Sequence, residues 1–386
     1  MTLLTGTEEL ARLCAELARE PFVAIDTEFM RDRTYFPKLC LVQVAGAGRH
    51  AAIDPLAQGL DLAPLLALMT NPAVVKVFHA ARQDVEIFHH LGGAIPMPLF
   101  DTQLAAMVCG YGEEVGYETL VARLTKARID KSSRFTDWSR RPLTKQQLDY
   151  ALADVIHLRV VYQRLDALLR QTGRSEWVAQ ELAGLTDPHT YEQPPDEAWR
   201  RIKLRSREPR FLAIVQALAA WREREAQRRD LPRNRIVRDD LLLELAANRP
   251  RSTDDIAKLR RISLDRASAA AVVAAVRSAL ELPEALLPAV EPPPKLPRGI
   301  GPLVELLRVL LKFQCEEHNV AQRLVATTAD LEAIAAFDAP DVPALRGWRL
   351  EVFGRAALTL KQGKLALAVD KGQVVLVPMS HLVEPA

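Results

Sequence analysis

Cysteine is scarce in this sequence of 386 residues. There are four cysteines, and no two of them are close enough in sequence to form a CxxC pair. This excludes the usual zinc-ribbon and disulfide-scaffold proteins, because both need closely spaced cysteines. Isolated cysteines suit a reducing compartment, so we expect a cytoplasmic protein. The four positions are Cys14, Cys40, Cys109 and Cys315.

Long apolar segments are also lacking. A membrane-spanning helix needs about 18–20 consecutive apolar residues, and the richest segment, Ala269–Leu282, is interrupted by Arg277 and Glu281. Near the N-terminus, Glu8 and Arg12 interrupt any apolar run, so a signal peptide is not predicted. With 49% hydrophobic and 26% charged residues, the composition is instead typical of a globular protein with a sizeable core.

The net charge of +2 conceals an uneven distribution. Between Arg200 and Arg261 there are 18 lysine and arginine residues but only 9 aspartate and glutamate residues. The rest of the chain is therefore acidic overall. A basic segment favours a polyanionic partner, although a solvated helical face can have the same composition.

The first part of the chain predicts an α/β domain. Apolar and β-branched runs predict strands at Phe22–Phe29, Lys38–Gly46 and His50–Pro55. Because no helical segment separates these strands, we expect antiparallel hairpins. A later strand at Ala73–Ala80 alternates with helices, which predicts a mixed sheet flanked by helices. Beyond Leu99 the pattern is helical to about Leu185.

Two proline-containing segments, Asp187–Trp199 and Pro283–Pro302, predict a linker and a second domain boundary. They give a first domain at residues 1–190 and mainly α-helical units at residues 200–285 and 300–386.

Near the end of the chain, two runs depart from this helical pattern. Ala357–Gln362 and Gly372–Met379 have a β-like composition, which a helical bundle does not explain.

Asp26 and Glu28 form the first group of candidate functional residues. Both lie in the first predicted strand, after the apolar residues Val23–Ile25. Side chains two residues apart on a strand point to the same face, so the two carboxylates converge. Two anions at the end of a buried strand are unfavourable unless a cation joins them. Taken alone, this spacing is also common at the surface end of a strand.

Two further acidic positions accompany this pair. Asp84 follows the predicted strand at Ala73–Ala80, where a helix begins, a position that the helix dipole alone also favours. Tyr150 and Asp154 are four residues apart in a helical segment and therefore share one face among alanines and leucines.

Together the four carboxylates indicate a site for hard divalent cations. Mg²⁺ and Mn²⁺ prefer oxygen ligands, and two such ions can activate water and stabilise the leaving oxygen of a phosphodiester. A tyrosine, with an ordinary pKa of about 10, is a poor base at neutral pH, so Tyr150 suits the orientation of a water molecule. His79 and His157 are not needed by this chemistry.

In order and spacing, these residues resemble the ribonuclease D family of the DEDD exonuclease superfamily. The matching motifs are FVAIDTEF, HAARQDVEIF and YALAD, with a tyrosine four residues before the last aspartate. Further similarity lies in LFDTQLAA and KSSRFTDWSRRPLTKQQLDYA, so the resemblance spans roughly residues 1–185. It implies a ribonuclease H-like fold for this domain and two bound Mg²⁺ or Mn²⁺ ions.

The resemblance also implies a role for each motif residue. Asp26 would bridge both ions, Glu28 and Asp154 would complete one ion, and Asp84 would support the other. Tyr150 would position the nucleophile. Arg140 and Arg141, in the RFTDWSRRPL segment, would lie near phosphates, although simple surface charge explains them equally well.

The basic segment resembles the HRDC domain, a small helical bundle that also occurs in ribonuclease D. The similarity rests on ALAAWREREAQRRDLPRNRIVRDDLLLELA and PRSTDDIAKL. It implies a basic face that binds phosphates without base contacts, or else a spacer module. The last unit, with nearly balanced charge, resembles a degenerate second copy. The predicted face consists of Arg222, Arg228, Arg229, Arg233, Arg235 and Arg238.

The resemblance implies a monomeric 3′→5′ exoribonuclease without an organic cofactor. Its substrates would be tRNA precursors or other structured RNAs, and its products nucleoside 5′-monophosphates. Two alternatives share the same motifs: a 3′→5′ DNA exonuclease and a catalytically silent nucleic-acid-binding protein. The intact set of five motif residues argues against the silent protein.

Overall fold

A six-stranded mixed sheet forms the centre of the first domain in the computed structural model, which describes residues 3–129, 136–204, 206–259, 261–289 and 295–379. Of the motif segments, Lys131–Phe135 lies outside the described residues. The sheet order is β1-β4-β3-β2-β5-β6. The strands are β1 (Leu3–Leu4), β2 (Phe22–Met30), β3 (Lys38–Ala45), β4 (His50–Ile53), β5 (Val75–Phe78) and β6 (Leu99–Asp101).

Strand pairing confirms the predicted hairpins. β2 pairs antiparallel with β3, and β3 pairs antiparallel with β4. On the other side of β2, the strands β5 and β6 continue the sheet in parallel. The sequence pattern missed β1 and β6, because two or three residues are too few to show a period of two. The segment from Leu99 therefore begins with a strand before it becomes helical.

Helices cover both faces of this sheet. The longest of them, α6, packs across β2, β3, β4 and β5 and buries Ala151, Val155 and Leu158. The helices of this domain are α1 (Thr7–Leu17), α2 (Ala63–Met69), α3 (Arg82–Gly92), α4 (Thr102–Val108), α5 (Tyr117–Thr125), α6 (Lys145–Thr172) and α7 (Ser175–Thr186).

Both ends of α6 are fixed by local chemistry. At its start Thr144 and Gln147 form a capping box, in which each side chain binds the other residue's backbone or side chain. At its end Gly173 adopts a left-handed conformation, with φ of 68°. These signals fix the phase of α6, and hence which of its side chains face the sheet.

The second unit is a helical bundle with a core of its own. Trp199, which we predicted to end a linker, is buried in this core together with Leu212, Leu218 and Val272. The linker therefore ends as part of the bundle. Its helices are α8 (Pro209–Arg229), α9 (Arg233–Ile236), α10 (Asp239–Asn248), α11 (Thr253–Ala257) and α12 (Arg266–Glu281).

The last unit shares one continuous apolar core with the first domain. Trp348 stacks on Trp177 of α7, with ring centroids 4.5 Å apart. Asn319 packs so closely on Gly110 that a Cβ atom there would lie 2.2 Å from its side chain. The elements are α13 (Gly301–Glu317), α14 (Gln322–Val325), α15 (Thr328–Ala336), α16 (Gly347–Arg349), a π-helical turn (Leu350–Gly354), α17 (Arg355–Lys361), β7 (Leu365–Asp370) and β8 (Gln373–Pro378).

One of the two predicted β-like runs is a strand and the other is not. Gly372–Met379 contains β8, which pairs antiparallel with β7. Ala357–Gln362 is mostly helical, because all of it except Gln362 lies within α17, where Ala357 and Leu360 are buried in the shared core. The β-like composition of this run was therefore misleading. No helix among the described residues is long and apolar enough to cross a membrane.

A buried ion pair holds the last unit to the first domain. The Arg349 guanidinium lies 2.6 Å from Glu181 of α7, whose side chain is only 8% exposed. Burial raises the pKa of Glu181, and Arg349 acts against that shift. We expect Arg349→Met to lower the free energy of unfolding by about 3 kcal/mol, because it leaves a buried carboxylate without a positive partner and only the Trp348 indole N–H to donate to it.

Urea denaturation followed by tryptophan fluorescence measures this effect. Arg355→Met is the matched control, since Arg355 pairs with Glu351 on the surface, and it should change stability by less than about 1 kcal/mol. Equal losses in the two variants would contradict the buried-pair interpretation.

Candidate active site

Strand β2 presents Asp26 and Glu28 on the face that α6 covers. In register, Asp26 lies opposite Gln43 of β3, and Glu28 lies opposite Leu41. Both acids line a pocket of about 490 Å³. On the other face of the strand, Val23 and Ile25 pack into the main core. Because successive side chains of a strand point to opposite faces, Asp26 and Glu28 are the residues that reach the pocket.

Asp84 approaches from the first turn of α3 and is almost fully buried. Its Oδ1 accepts a hydrogen bond of 2.5 Å from the Thr27 hydroxyl. The turn before α3 is held by Asp101, which accepts hydrogen bonds from the backbone N–H groups of Ala80 and Ala81. Thr27 and Asp101 therefore fix the position of Asp84.

Helix α6 places Tyr150 and Asp154 on the opposite wall of the same pocket. Tyr117, at the start of α5, donates a hydrogen bond from its hydroxyl to the backbone carbonyl of Asp154. His79 also lines the pocket, where its Nδ1 lies 3.0 Å from the Thr102 hydroxyl and burial lowers its pKa. The structure thus brings four predicted residues to one pocket, with Asp84 buried beside them.

Burial dominates the electrostatics of the carboxylates. Asp26 retains some surface towards the pocket, but the surrounding protein raises its pKa to about 6. Desolvation, and then the charge of Asp26, hold the pKa of Asp84 well above its ordinary value. Among the described residues, no lysine or arginine forms an ion pair with Asp26 or Asp84. Negative charge here therefore lacks the side-chain compensation that buried carboxylates usually have.

Both tyrosines of the pocket are neutral at physiological pH. Burial raises the pKa of Tyr150, and the neighbouring charges of Asp154, Glu28 and Asp26 raise it further. Burial and then the Asp154 charge raise the pKa of Tyr117 in the same way. Either hydroxyl can orient a water molecule, and neither can serve as a base.

The carboxylate groups of this pocket are chemically suitable ligands for a hard divalent cation, because such cations prefer oxygen ligands and the pocket is partly shielded from water. Within the described parts of the chain, no three His, Cys, Asp or Glu side chains already stand in metal-binding geometry. A bound cation would have to draw the carboxylates together.

The two arginines near α6 have different surroundings. Arg141 binds Asp54 through two hydrogen bonds of 2.6 Å and also donates to the Cys40 carbonyl, so it fastens its loop to β3 and β4. This is a structural role, which the sequence pattern did not predict. Arg140 is exposed and pairs only loosely with Asp137, at 3.3 Å.

Most arginines of the predicted basic face are already paired. Arg222 is buried rather than exposed, because its guanidinium binds Asp239 and the Val237 carbonyl. This corrects the prediction for Arg222. The remaining pairs are Arg228 and Arg229 with Glu225, Arg233 with Glu223, and Arg238 with Asp240, while Arg235 is exposed.

A set of contacts joins this bundle to the loop that follows β2. Asp230 accepts hydrogen bonds of 3.0 Å from the backbone N–H groups of Tyr35 and Phe36. The Tyr35 hydroxyl binds Glu223, which also pairs with Arg233 at 2.6 Å. Beside these contacts lies a pocket of about 740 Å³, lined by Arg31, Arg201, Arg222, Arg233 and Arg238 among others.

Sequence reasoning missed Thr27, Asp101 and Tyr117. Thr27 lies between the two motif acids, and Asp101 belongs to the LFDTQLAA segment, so both were within quoted motifs. Their partners are distant in sequence: Thr27 and Asp84 are 57 residues apart. Tyr117 belongs to no motif and gave no signal in the sequence.

Comparison with known families agrees with this architecture. A family model described as 3′-5′ exonuclease matches residues 1–170, and a model described as HRDC domain matches residues 211–268. The last unit, from about residue 300, lies outside both matches.

Similarity to individual proteins extends over nearly the whole chain. Ribonuclease D of Nitrobacter hamburgensis is 51% identical over 383 residues, covering 98% of this chain and all of that protein. Ribonuclease D of Acidiphilium cryptum is 52% identical over 380 residues, covering 98% and 97%. The crystal structure of Escherichia coli RNase D, an exoribonuclease involved in structured RNA processing, superposes with a TM-score of 0.79 at 31% identity, covering 94% and 98%. The chain therefore belongs to the ribonuclease D family.

Proposed function

We propose that this protein removes nucleotides from RNA 3′ ends by two-metal-ion hydrolysis in the pocket formed by β2, α3 and α6. The observation that carries the mechanism is the convergence of Asp26, Glu28 and Asp154 on one pocket, with Asp84 buried beside them. Family membership supports the 3′→5′ exonuclease activity on RNA.

Each side chain has a distinct role in this proposal. Asp26, Glu28, Asp84 and Asp154 would hold two Mg²⁺ or Mn²⁺ ions. When bound, such ions favour ionisation of the attacking water and neutralise charge on the phosphate. Tyr150 remains protonated and orients the water by hydrogen bonding. Thr27 holds Asp84, and Tyr117 holds the α6 backbone at Asp154.

For the substrate, we propose structured RNA precursors, with tRNA precursors as the first to test and nucleoside 5′-monophosphates as products. The related Escherichia coli enzyme is described as acting in structured RNA processing. The same metal-binding carboxylates would serve equally well for hydrolysis of DNA, because a protein distinguishes RNA from DNA through contacts to the 2′-hydroxyl. Matched RNA and DNA oligonucleotides distinguish the two substrates.

We further propose that the last unit is a degenerate second HRDC domain. Its helices follow the order of the second unit: a long helix, a four-residue helix, a helix of nine or ten residues and then further helical segments, which are α11 and α12 in the second unit and α16, the π-helical turn and α17 in the last. Since its core is continuous with the first domain, it would support the nuclease domain.

The two-metal assignment predicts the behaviour of single carboxamide variants. We expect Asp26→Asn or Asp154→Asn to reduce cleavage by at least about 10³-fold, because each removes an anionic oxygen ligand of the cations that would neutralise charge on the reacting phosphate. RNA binding should remain largely intact. The measurement uses 5′-labelled single-stranded RNA with Mg²⁺ or with EDTA, and follows the ladder that shortens from the 3′ end.

Asp149→Asn is the matched control, since Asp149 lies on the same helix but is exposed and pairs with Lys145. It should cleave like the wild type. Near-normal turnover in Asp26→Asn would contradict the assignment, and a ladder on DNA alone would favour the DNA exonuclease. Binding without cleavage of either would favour the silent protein.

The raised pKa of Asp26 predicts how stability depends on pH. The folded protein retains a proton at Asp26 that the unfolded chain releases above its ordinary pKa of 3.8. Stability of the metal-free protein should therefore fall as the pH rises from about 4 through about 6, because the folded protein holds this proton more tightly than the unfolded chain does.

Thermal unfolding in EDTA and in Mn²⁺ measures this effect. Asp26→Asn should remove much of the fall in EDTA. The increase in Tm caused by Mn²⁺ should be larger at about pH 7.5 than at about pH 5, because cation binding competes with protons for the carboxylates. A Mn²⁺ effect that is independent of pH would contradict a carboxylate site.

The arginines around the second unit predict salt-dependent RNA binding. Replacing Arg201, Arg235 and Arg238 with glutamine should reduce the slope of log affinity against log salt by up to about 0.7–0.9 for each phosphate that these side chains neutralise. The control replaces Arg308, Arg346 and Arg355, exposed arginines of the last unit, with glutamine. An equal change of slope in both triple variants would assign the effect to overall charge.

A further inference from the structure

Gln43, at the centre of β3, has an unusual environment. Its side chain is completely buried, and neither its amide nitrogen nor its amide oxygen has a hydrogen-bond partner among the described residues. A buried amide without partners destabilises a folded protein, whereas an apolar side chain of similar size would not. Packing alone therefore gives no reason for glutamine at this position.

The neighbours of Gln43 on its own face of the sheet are almost all apolar. Leu41 and Ala45 flank it along β3, and Ala52 lies opposite it on β4. Helix α6 covers this layer with Ala151 and Val155. None of these side chains offers the amide a hydrogen bond.

The exception is Asp26, which lies directly opposite Gln43 on β2. Directly paired residues on antiparallel strands place their side chains on the same face, with Cβ atoms about 4.5–5.5 Å apart. A glutamine side chain spans that distance easily. Its amide N–H can donate to a carboxylate, and the nearest one in register is that of Asp26.

We propose that Gln43 is a positioning residue for Asp26: its amide N–H donates to the ionised Asp26 carboxylate when a divalent cation is held in the pocket. The hydrogen bond fixes the rotamer of Asp26 and leaves its remaining lone pairs for the cation. Hydrogen bonds of this kind to metal-binding carboxylates raise metal affinity. The inference rests on the carboxylate site of the proposed function.

This role predicts opposite effects on two measurable properties. In the metal-free protein the amide is unpartnered, so replacing it with an apolar group of similar shape should maintain or raise Tm. In the metal-loaded protein the same replacement removes a donor to Asp26, so it should weaken cation binding. A purely structural glutamine would not produce this combination, because loss of packing lowers both properties together.

The test compares Gln43→Met with the wild type in the full chain. Calorimetric titration with Mn²⁺, without RNA, should give a Kd raised about 10- to 100-fold. Thermal unfolding in EDTA should give an equal or higher Tm. With RNA at subsaturating Mn²⁺, kcat should fall while KM for RNA stays within about twofold, and saturating Mn²⁺ should restore part of kcat.

Leu41→Met, on the same strand and face, is the matched control and should leave the Mn²⁺ affinity unchanged. Gln43→Leu repeats the test with a second apolar shape in case Gln43→Met does not fold. An unchanged Mn²⁺ affinity in a folded Gln43 variant would overturn the inference, and so would equal losses of affinity in Gln43→Met and Leu41→Met. If the wild type itself binds no Mn²⁺, the proposed function fails as well, so the two failures are distinguishable.

Discussion

The constraint on which the first domain depends is buried negative charge at Asp26 and Asp84, with which no lysine or arginine in the described part of the chain forms an ion pair. Asp26 and Asp84 lose most of their hydration to the sheet and to the helices that pack on it. The capping box that fixes α6, the Thr27 hydroxyl and the Asp101 turn hold this arrangement in place. Repulsion between the carboxylates lowers the stability of the metal-free protein. Because a bound cation relieves this repulsion, the same arrangement favours cation binding.

The sequence indicated which candidate residues share a face of a strand or helix, but it did not indicate the hydrogen bonds and ion pairs around them. Asp26 and Glu28 share a face because strands alternate, and Tyr150 and Asp154 share a face because helices repeat every 3.6 residues. These are local rules, so short motifs are enough to apply them. The hydrogen bond from Thr27 to Asp84 depends on how distant segments pack, which no local period records. For the same reason the burial of Arg222 was not foreseen: charge composition does not reveal which arginines are paired within the fold.

The helical units are attached to the first domain in two different ways. The second unit has a separate core and touches the loop after β2 mainly through polar contacts, such as those of Asp230 and Tyr35. The last unit instead completes the apolar core of the first domain. The proline-containing segment predicted a separate unit from about residue 300, but the apolar core of that unit is continuous with the core of the first domain.

That shared core has a consequence for the synthesis of the protein. Domains usually fold in order as they leave the ribosome, each one when its own core is available. Here the part of the apolar surface of α4 and α7 that contacts the last unit stays uncovered until residues 304–360 have been translated, well after the second unit. The nuclease domain is therefore synthesised first, but its apolar core is completed only when the last unit has been made, so a nascent chain that stalls within the second unit would leave part of that core exposed to water.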